Sequence, residues 1–410
     1  MTLLPAFLAY LPASTLKRVA STGFAFVLCL PLGAAGGAGL TGPSNADLAN
    51  MFRVPGLPED RKQIAWPTLP LLPSKRVEIF RGVENVTGFN HHPSIAYFDG
   101  RLFAIWNTGF KDEDASGQKV VFSTSTDQGL TWTAPMDITG RWDARRFTCV
   151  GLWQRGNELH AVVSLRDAHD EAGKAKRSDV CPLLAYRWES SRSGFGDPVV
   201  LVMNFFSNNI PQKAPDGEWM MLGKGTGEEN SEMRVARGGT VDLGRWSVAD
   251  MPAGPKMEEA EWYVLPDKGI VAHYRSYLGE TPEGGRFIRL YSPDSGKTWS
   301  DRIVTNFPEA SSRNHGFRLS NGTYVLLLNP NPIRYRVPLS LALSSDGLNY
   351  TKIANIRADD TKSRVKGRSK GPGYHYVRGL EHNGKLYAIY TVNKEDVEVS
   401  IIPLQAIQGL

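Results

Sequence analysis

Residues 125–132 read S-T-D-Q-G-L-T-W, and residues 292–299 read S-P-D-S-G-K-T-W. The shared pattern S-x-D-x-G-x-T-W describes a turn with a hydrophobic peg. Asp127 and Asp294 can accept backbone N–H bonds inside the turn, glycine permits a positive φ, and the tryptophan packs between neighbouring sheets. A shorter copy, S-S-D-G-L-N-Y at Ser344–Tyr350, loses one spacer and replaces Trp by Tyr. The copies start at 125, 292 and 344, and the first interval is about three times the second. A repeat unit of roughly 50 to 60 residues follows, which is the size of a propeller blade. The fold expected is all-β: a six-bladed β-propeller of four-stranded antiparallel sheets, with seven blades as the alternative.

Composition agrees. The chain has 410 residues, 41% hydrophobic and 10% aromatic, with 41 Gly and 26 Pro, which suits many short strands joined by turns. A formal charge of +5 is mild at this length and points to neither nucleic acid nor an acidic membrane, while allowing a locally basic pocket. Residues 1–42 read as a signal peptide: Lys17 and Arg18 precede an apolar run interrupted by Pro31 and ending in small residues. The location implied is secreted or periplasmic, with no membrane association after cleavage; a retained anchor is the alternative. Residues 43–74 are Pro-rich and read as a linker that wraps the surface. Residues 75–410 form the propeller, with Val77–Phe80 closing the ring on the last blade. Blades open near Phe89, Arg146, Asn208, Glu258, Arg313 and Tyr374, and Ile353–Lys370 reads as a long loop, a hidden blade being possible there or in 205–255. Cys149 and Cys181 both fall in the second blade, where export permits but does not require a disulfide.

The octets resemble the Asp boxes of the sialidase superfamily, which mark a propeller and not a reaction. Four stretches extend that resemblance toward a site. In M-E-E-A-E-W-Y-V-L-P-D-K-G-I-V-A-H-Y-R (Met257–Arg275), Glu259 and Arg275 match a sialidase Glu and Arg, with Glu261 a rival. In P-I-R-Y-R-V-P, Arg336 or Arg334 matches a carboxylate-binding Arg. In G-P-G-Y-H-Y-V-R, Tyr376, with Tyr374 as rival, takes the place of the nucleophilic Tyr. In F-K-D-E-D-A-S-G, Asp114 resembles the acid/base Asp. The chemistry is coherent: a sugar carboxylate needs Arg forks, a carboxylate nucleophile would be repelled by that charge, and a Tyr activated by a Glu would not. Arg146, Arg166 and Arg313 at blade edges are further substrate-binding candidates, as are Arg145 and His315.

One motif departs from the pattern. Where sialidases open the first blade with an Arg, this chain has F-N-H-H-P-S-I, Phe89–Ile95. That opening looks like propeller lyases and rhamnosidases acting on rhamnose–glucuronic acid linkages, and it implies that His92, or His91, faces the pocket and abstracts a proton α to a uronate carboxylate. Strand alternation sends the two imidazoles to opposite faces, so at most one reaches the site. Three functions stand: a glycosidase cleaving next to a terminal sialic or uronic acid, a polysaccharide lyase or rhamnosidase using His92, and a glycan-binding propeller without catalysis. The partner expected is an acidic oligosaccharide or polysaccharide, with no nucleic acid. No cofactor is indicated, and no metal, because the His pair lacks a third ligand at a telling spacing.

Overall fold

The structure, a computed structural model, describes residues 42–410 apart from 143–144, 171–172, 175–180, 208, 227–231 and 278–283. The expected leader therefore lies outside the described residues. The described strands form six antiparallel sheets, each a meander running outward from the axis. Blade 1 spans Phe89–Phe98 to Met136–Asp137, and blade 2 spans Arg145–Arg155 to Gly194–Met203. Blade 3 runs from Phe205–Ser207 to Trp246–Asp250, with Gln212–Lys213 as a further short strand; the expected opening residue, Asn208, is not described. Blades 4 and 5 begin at Met257–Val264 and His315–Arg318, and blade 6 at Tyr374–His382. The described residues of 205–255 thus form one blade, with no seventh among them. Ile353 to Arg357 is not loop either: it completes the outer strand Tyr350–Arg357 of blade 5.

Lys75–Phe80 pairs antiparallel with Asp396–Pro403 and becomes the outer strand of blade 6. The first and last strands of the propeller are thereby stitched into one sheet, with Lys75–Phe80 as its outer edge. Residues before it do more than wrap the surface. The short helix α1, Asn45–Ala49, is capped by Ser44 and Asp47, and Met51, Phe52, Ile64 and Trp66 pack with Phe307, Leu328 and Tyr350 of blades 4 and 5. The Pro-rich segment therefore contributes core, because its scattered apolar side chains fill the widening gap between two blades.

The repeated octets build one turn three times. Asp127 Oδ1 accepts from Ser125 Oγ at 2.8 Å, Leu130 N at 3.0 Å and Thr131 N at 2.9 Å, and Trp132 Nε1 donates to Gly129 O at 3.1 Å. Asp294 repeats this with Ser292, Lys297 and Thr298 at 3.0, 3.1 and 2.8 Å, and Asp346 does so with Ser344, Leu348 and Asn349. Gly296 is required: its φ is 84°, and a Cβ there would lie 2.2 Å from Met220 Sδ of the neighbouring blade. Trp132 and Trp299 pack against clusters shared between adjacent blades, 6 with 1 and 3 with 4. Cys149 and Cys181 are buried and are not joined in a disulfide.

Candidate active site

The inner strands carry a repeated device. In blade 1 the ladder slips between His91 and Ser94, in blade 4 between Glu258 and Ala260, and in blade 6 between His375 and Arg378. Each slip is a β-bulge, and each holds a residue in the left-handed region: His92 at φ 53°, Glu259 at 52° and Tyr376 at 54°. For non-glycine residues this conformation costs about 1–3 kcal/mol and clusters at functional sites. The bulges turn these side chains from the sheet faces toward the axis.

There they meet. Arg275 Nη1 donates to Glu259 Oε2 at 2.5 Å and to Tyr376 Oη at 3.1 Å. Arg336 and Arg313 place their guanidinium carbons 5.3 and 5.9 Å from the Tyr376 ring centroid. Arg336 is held by Ser311 O at 2.7 Å and His375 Nδ1 at 2.6 Å. Arg275, Arg336, Tyr376, Glu113, Lys370 and Lys394 line a cavity of ≈ 330 Å³. Burial would raise the Glu259 carboxyl, but Arg275, Arg313 and a hydrogen bond with Tyr376 hold it down to about 2. Burial and the adjacent Glu259 charge push the Tyr376 phenol up, against Arg275 and Arg336. At neutral pH the proton therefore sits on the phenol and the charge on the glutamate.

Both histidines reach the site, contrary to strict alternation, because the bulge inserts a residue between the two faces. Their ring centroids lie 4.1 Å (His91) and 4.9 Å (His92) from that of Tyr376. Burial first, then neighbouring cations, keeps His91 neutral and takes His92 down to about 3. Among the described residues His91 Nε2 and His92 Nδ1 have no hydrogen-bond partner although both are buried. His91 Nδ1 is anchored on Thr391 Oγ1 at 3.1 Å.

Asp114, at φ 64°, ion-pairs with Arg146 across the blade 1–blade 2 boundary. Burial works against its charge, but Arg146, Arg166 and His169 outweigh it and hold the carboxyl below its ordinary value. The carboxylate of the residue that the resemblance marks as the acid/base is thus favoured in its ionised form. Arg166 stacks on Phe206 at 4.6 Å. The rivals separate clearly. Tyr374 Oη donates to Asp359 O within the blade 5–blade 6 core, and Glu261 pairs with Arg378 at 2.5 Å, fully buried. Arg334 is exposed at the cavity rim, whereas Arg336 is buried. Arg145 pairs with Asp167 at 3.4 Å, and His315 Nδ1 accepts from Gly379 N at 3.0 Å.

Sequence reasoning missed Glu113, Lys394 and Glu309. Lys394 Nζ donates to Glu113 Oε2 at 2.6 Å; Glu113 stood next to the chosen Asp114, but Lys394 lies in a hairpin that reads as an ordinary polar turn. Glu309 is fully buried and accepts from Ser276 N and Ser312 N, fixing the backbone beside Arg275 and Arg313. Glu113 also supplies the third ligand that spacing did not offer: one ligand atom each from His91, His92 and Glu113 lies within 4.8 Å of the others. Lys394 on Glu113 and the guanidiniums of Arg336 and Arg313 nearby favour an anion over a divalent cation in this field.

The BNR repeat-like domain family matches residues 100–395. The chain belongs to this family. Comparison of this BNR propeller with curated proteins gives no match. Among solved structures, the Trypanosoma rangeli sialidase in complex with sialic acid is similar over 83% of this chain and 60% of its own, at 16% identity and a TM-score of 0.63. A leech intramolecular trans-sialidase complexed with 2,7-anhydro-Neu5Ac is similar over 82% of this chain and 71% of its own, at 11% identity and 0.60. A Dyadobacter fermentans protein of unknown function is similar over 80% and 99%, at 13% and 0.60. The BNR propeller spans about three fifths of the Trypanosoma rangeli enzyme and 35% of another sialidase. At these identities the likeness is one of fold.

Proposed function

We propose that this protein is an exported glycosidase that cleaves the bond next to a terminal anionic sugar, sialic or uronic acid. The observation that carries the reading is the contact of Arg275 with both Glu259 and Tyr376, at 2.5 and 3.1 Å, beneath a cavity bordered by Arg336. A substrate carboxylate drawn to the guanidiniums would offset the field that holds Glu259 so far down. Glu259 then takes the phenolic proton as Tyr376 Oη bonds to the anomeric carbon and the glycosidic C–O bond breaks. In the second half Asp114, ionised, takes a proton from the water that bonds to the anomeric carbon, the Tyr376 Oη–carbon bond breaks, and the phenolate recovers its proton from Glu259. With Asp114 ionised, the leaving group departs as an oxyanion and takes its proton from water, so turnover depends strongly on the leaving group. Aryl glycosides of the correct anionic sugar should react far faster than alkyl ones, and Tyr376→Phe should abolish both; unchanged turnover in that variant would sink the hydrolytic reading. Export is tested by the N-terminus of protein from the native host, which should begin after the apolar leader.

A second reading has its own support, the two neutral imidazoles packed on Tyr376. His92 would take the proton α to a uronate carboxylate, a ring C=C would form, and the glycosidic oxygen would leave with a proton. The product would be an unsaturated sugar. Ultraviolet absorbance growing on a uronate polysaccharide, and lost in His92→Ala, would replace hydrolysis by elimination; new reducing ends without absorbance keep the hydrolase.

A further inference from the structure

Blades 3 and 4 carry two half-exposed aromatic rings, Phe206 and Tyr277, each flanked by two cations. Arg166 lies 4.6 Å and Lys224 5.8 Å from the Phe206 ring centroid. Lys256 lies 4.2 Å and Arg275 5.7 Å from that of Tyr277. The two rings are joined, since Lys224 Nζ donates to Glu258 Oε1 at 2.7 Å and Tyr277 hydrogen-bonds to the same carboxylate. At one end the arc meets the central cavity through Arg275; at the other, Arg166 acts on Asp114 and Arg146. A single exposed ring is ordinary on a protein surface. Two rings on one path, each beside two cations, with Lys224 on Glu258 and Arg166 beside Asp114, are a patterned surface.

The sequence explains the display. Phe205 and Ser207 are buried, and alternation turns Phe206 outward opposite its register partner Lys224. A sugar ring presents polarised C–H groups that suit the negative face of an aromatic ring, and its carboxylate or sulfate suits the flanking Arg and Lys.

We propose that this arc is a second subsite, which binds another negatively charged sugar of the same glycan chain as the unit in the central cavity. The inference rests on the glycan reading of that cavity and adds that the protein selects acidic chains over single acidic sugars. The test is calorimetric binding of mono- and tetrasaccharides of galacturonic acid and of α2,8-linked sialic acid. In at least one series the tetramer should bind about tenfold or more tighter than the monomer, the difference shrinking at high salt. Phe206→Ala and Lys224→Gln, each checked by melting for a folded propeller, should bring the ratio toward one. Arg336→Ala should weaken both lengths. Equal affinity for both lengths in both series, a ratio that survives the Phe206 and Lys224 variants, or no binding of either tetramer would overturn the subsite. A length effect that persists while Arg336→Ala changes nothing would instead remove the central reading on which it stands.

Discussion

The outer turns and the axial cavity are both rich in polar side chains, and they treat them in opposite ways. In Ser125–Trp132 the Asp127 carboxylate takes bonds from Ser125, Leu130 and Thr131, all within the same octet. At the axis, His91 Nε2 and His92 Nδ1 are buried without a hydrogen-bond partner among the described residues, and the Glu259 charge is held by side chains from other parts of the chain. Saturated, local polarity builds a scaffold. Unsatisfied imidazole nitrogens, set beside charges gathered from distant blades, are what a ligand site presents.

Four experiments break or sharpen that contrast. Arg336→Ala should give the largest effect, a loss of about 2–5 kcal/mol in binding an acidic ligand, read by calorimetry; an unchanged affinity would make the axis as inert as the turns. Next, Arg275→Ala removes a cation from the buried Glu259. The folded protein should lose about 3 kcal/mol at neutral pH, and Arg275→Ala with Glu259→Gln should recover most of it. If the double variant melts no higher than the single one, the pair is not what stabilises this part of the axis. Asp294→Ala should cost about 1 kcal/mol of stability with ligand affinity unchanged; a loss of affinity would show that turns and cavity are coupled. The smallest effect concerns acid. Hydrogen bonds from Thr131, then from Ser125, depress Asp127 from 3.8 to about 2, so its contribution is present above about pH 3.8 and is lost as pH falls through 2. Asp127→Asn should therefore flatten the acid limb of a stability–pH curve between about pH 4 and 2; an identical limb would mean the turn bonds are not formed in solution.

The sialidase-type positions were legible in part. Tyr376, Glu259, Arg275 and Arg336 were marked by the resemblance of their segments to sialidase ones, and the structure brings Tyr376, Arg275 and Arg336 to one cavity with Glu259 bonded to Arg275 behind them. The pairing of His91 with His92 was misread, since alternation assumes a regular strand and the bulge between His91 and Ser94 leaves no mark in the sequence. The charge state of Asp114 could not be read along the chain, because Arg146, some thirty positions on, pairs with it.

What the sequence determined by itself is what short-range bonding determines: the Asp-centred turns, the glycine each one needs, the blade length, and hence the propeller. Those bonds close within two to four residues, so the pattern contains its own explanation. Tertiary structure alone decided which charges face one another. Lys394 meets Glu113 across 281 positions and Arg275 meets Tyr376 across 101, and ring closure by Lys75–Phe80 on the last blade brings the first and sixth blades side by side. The energy of a buried charge depends on its distance to every other charge and on the water excluded around it, and neither quantity is written along the chain.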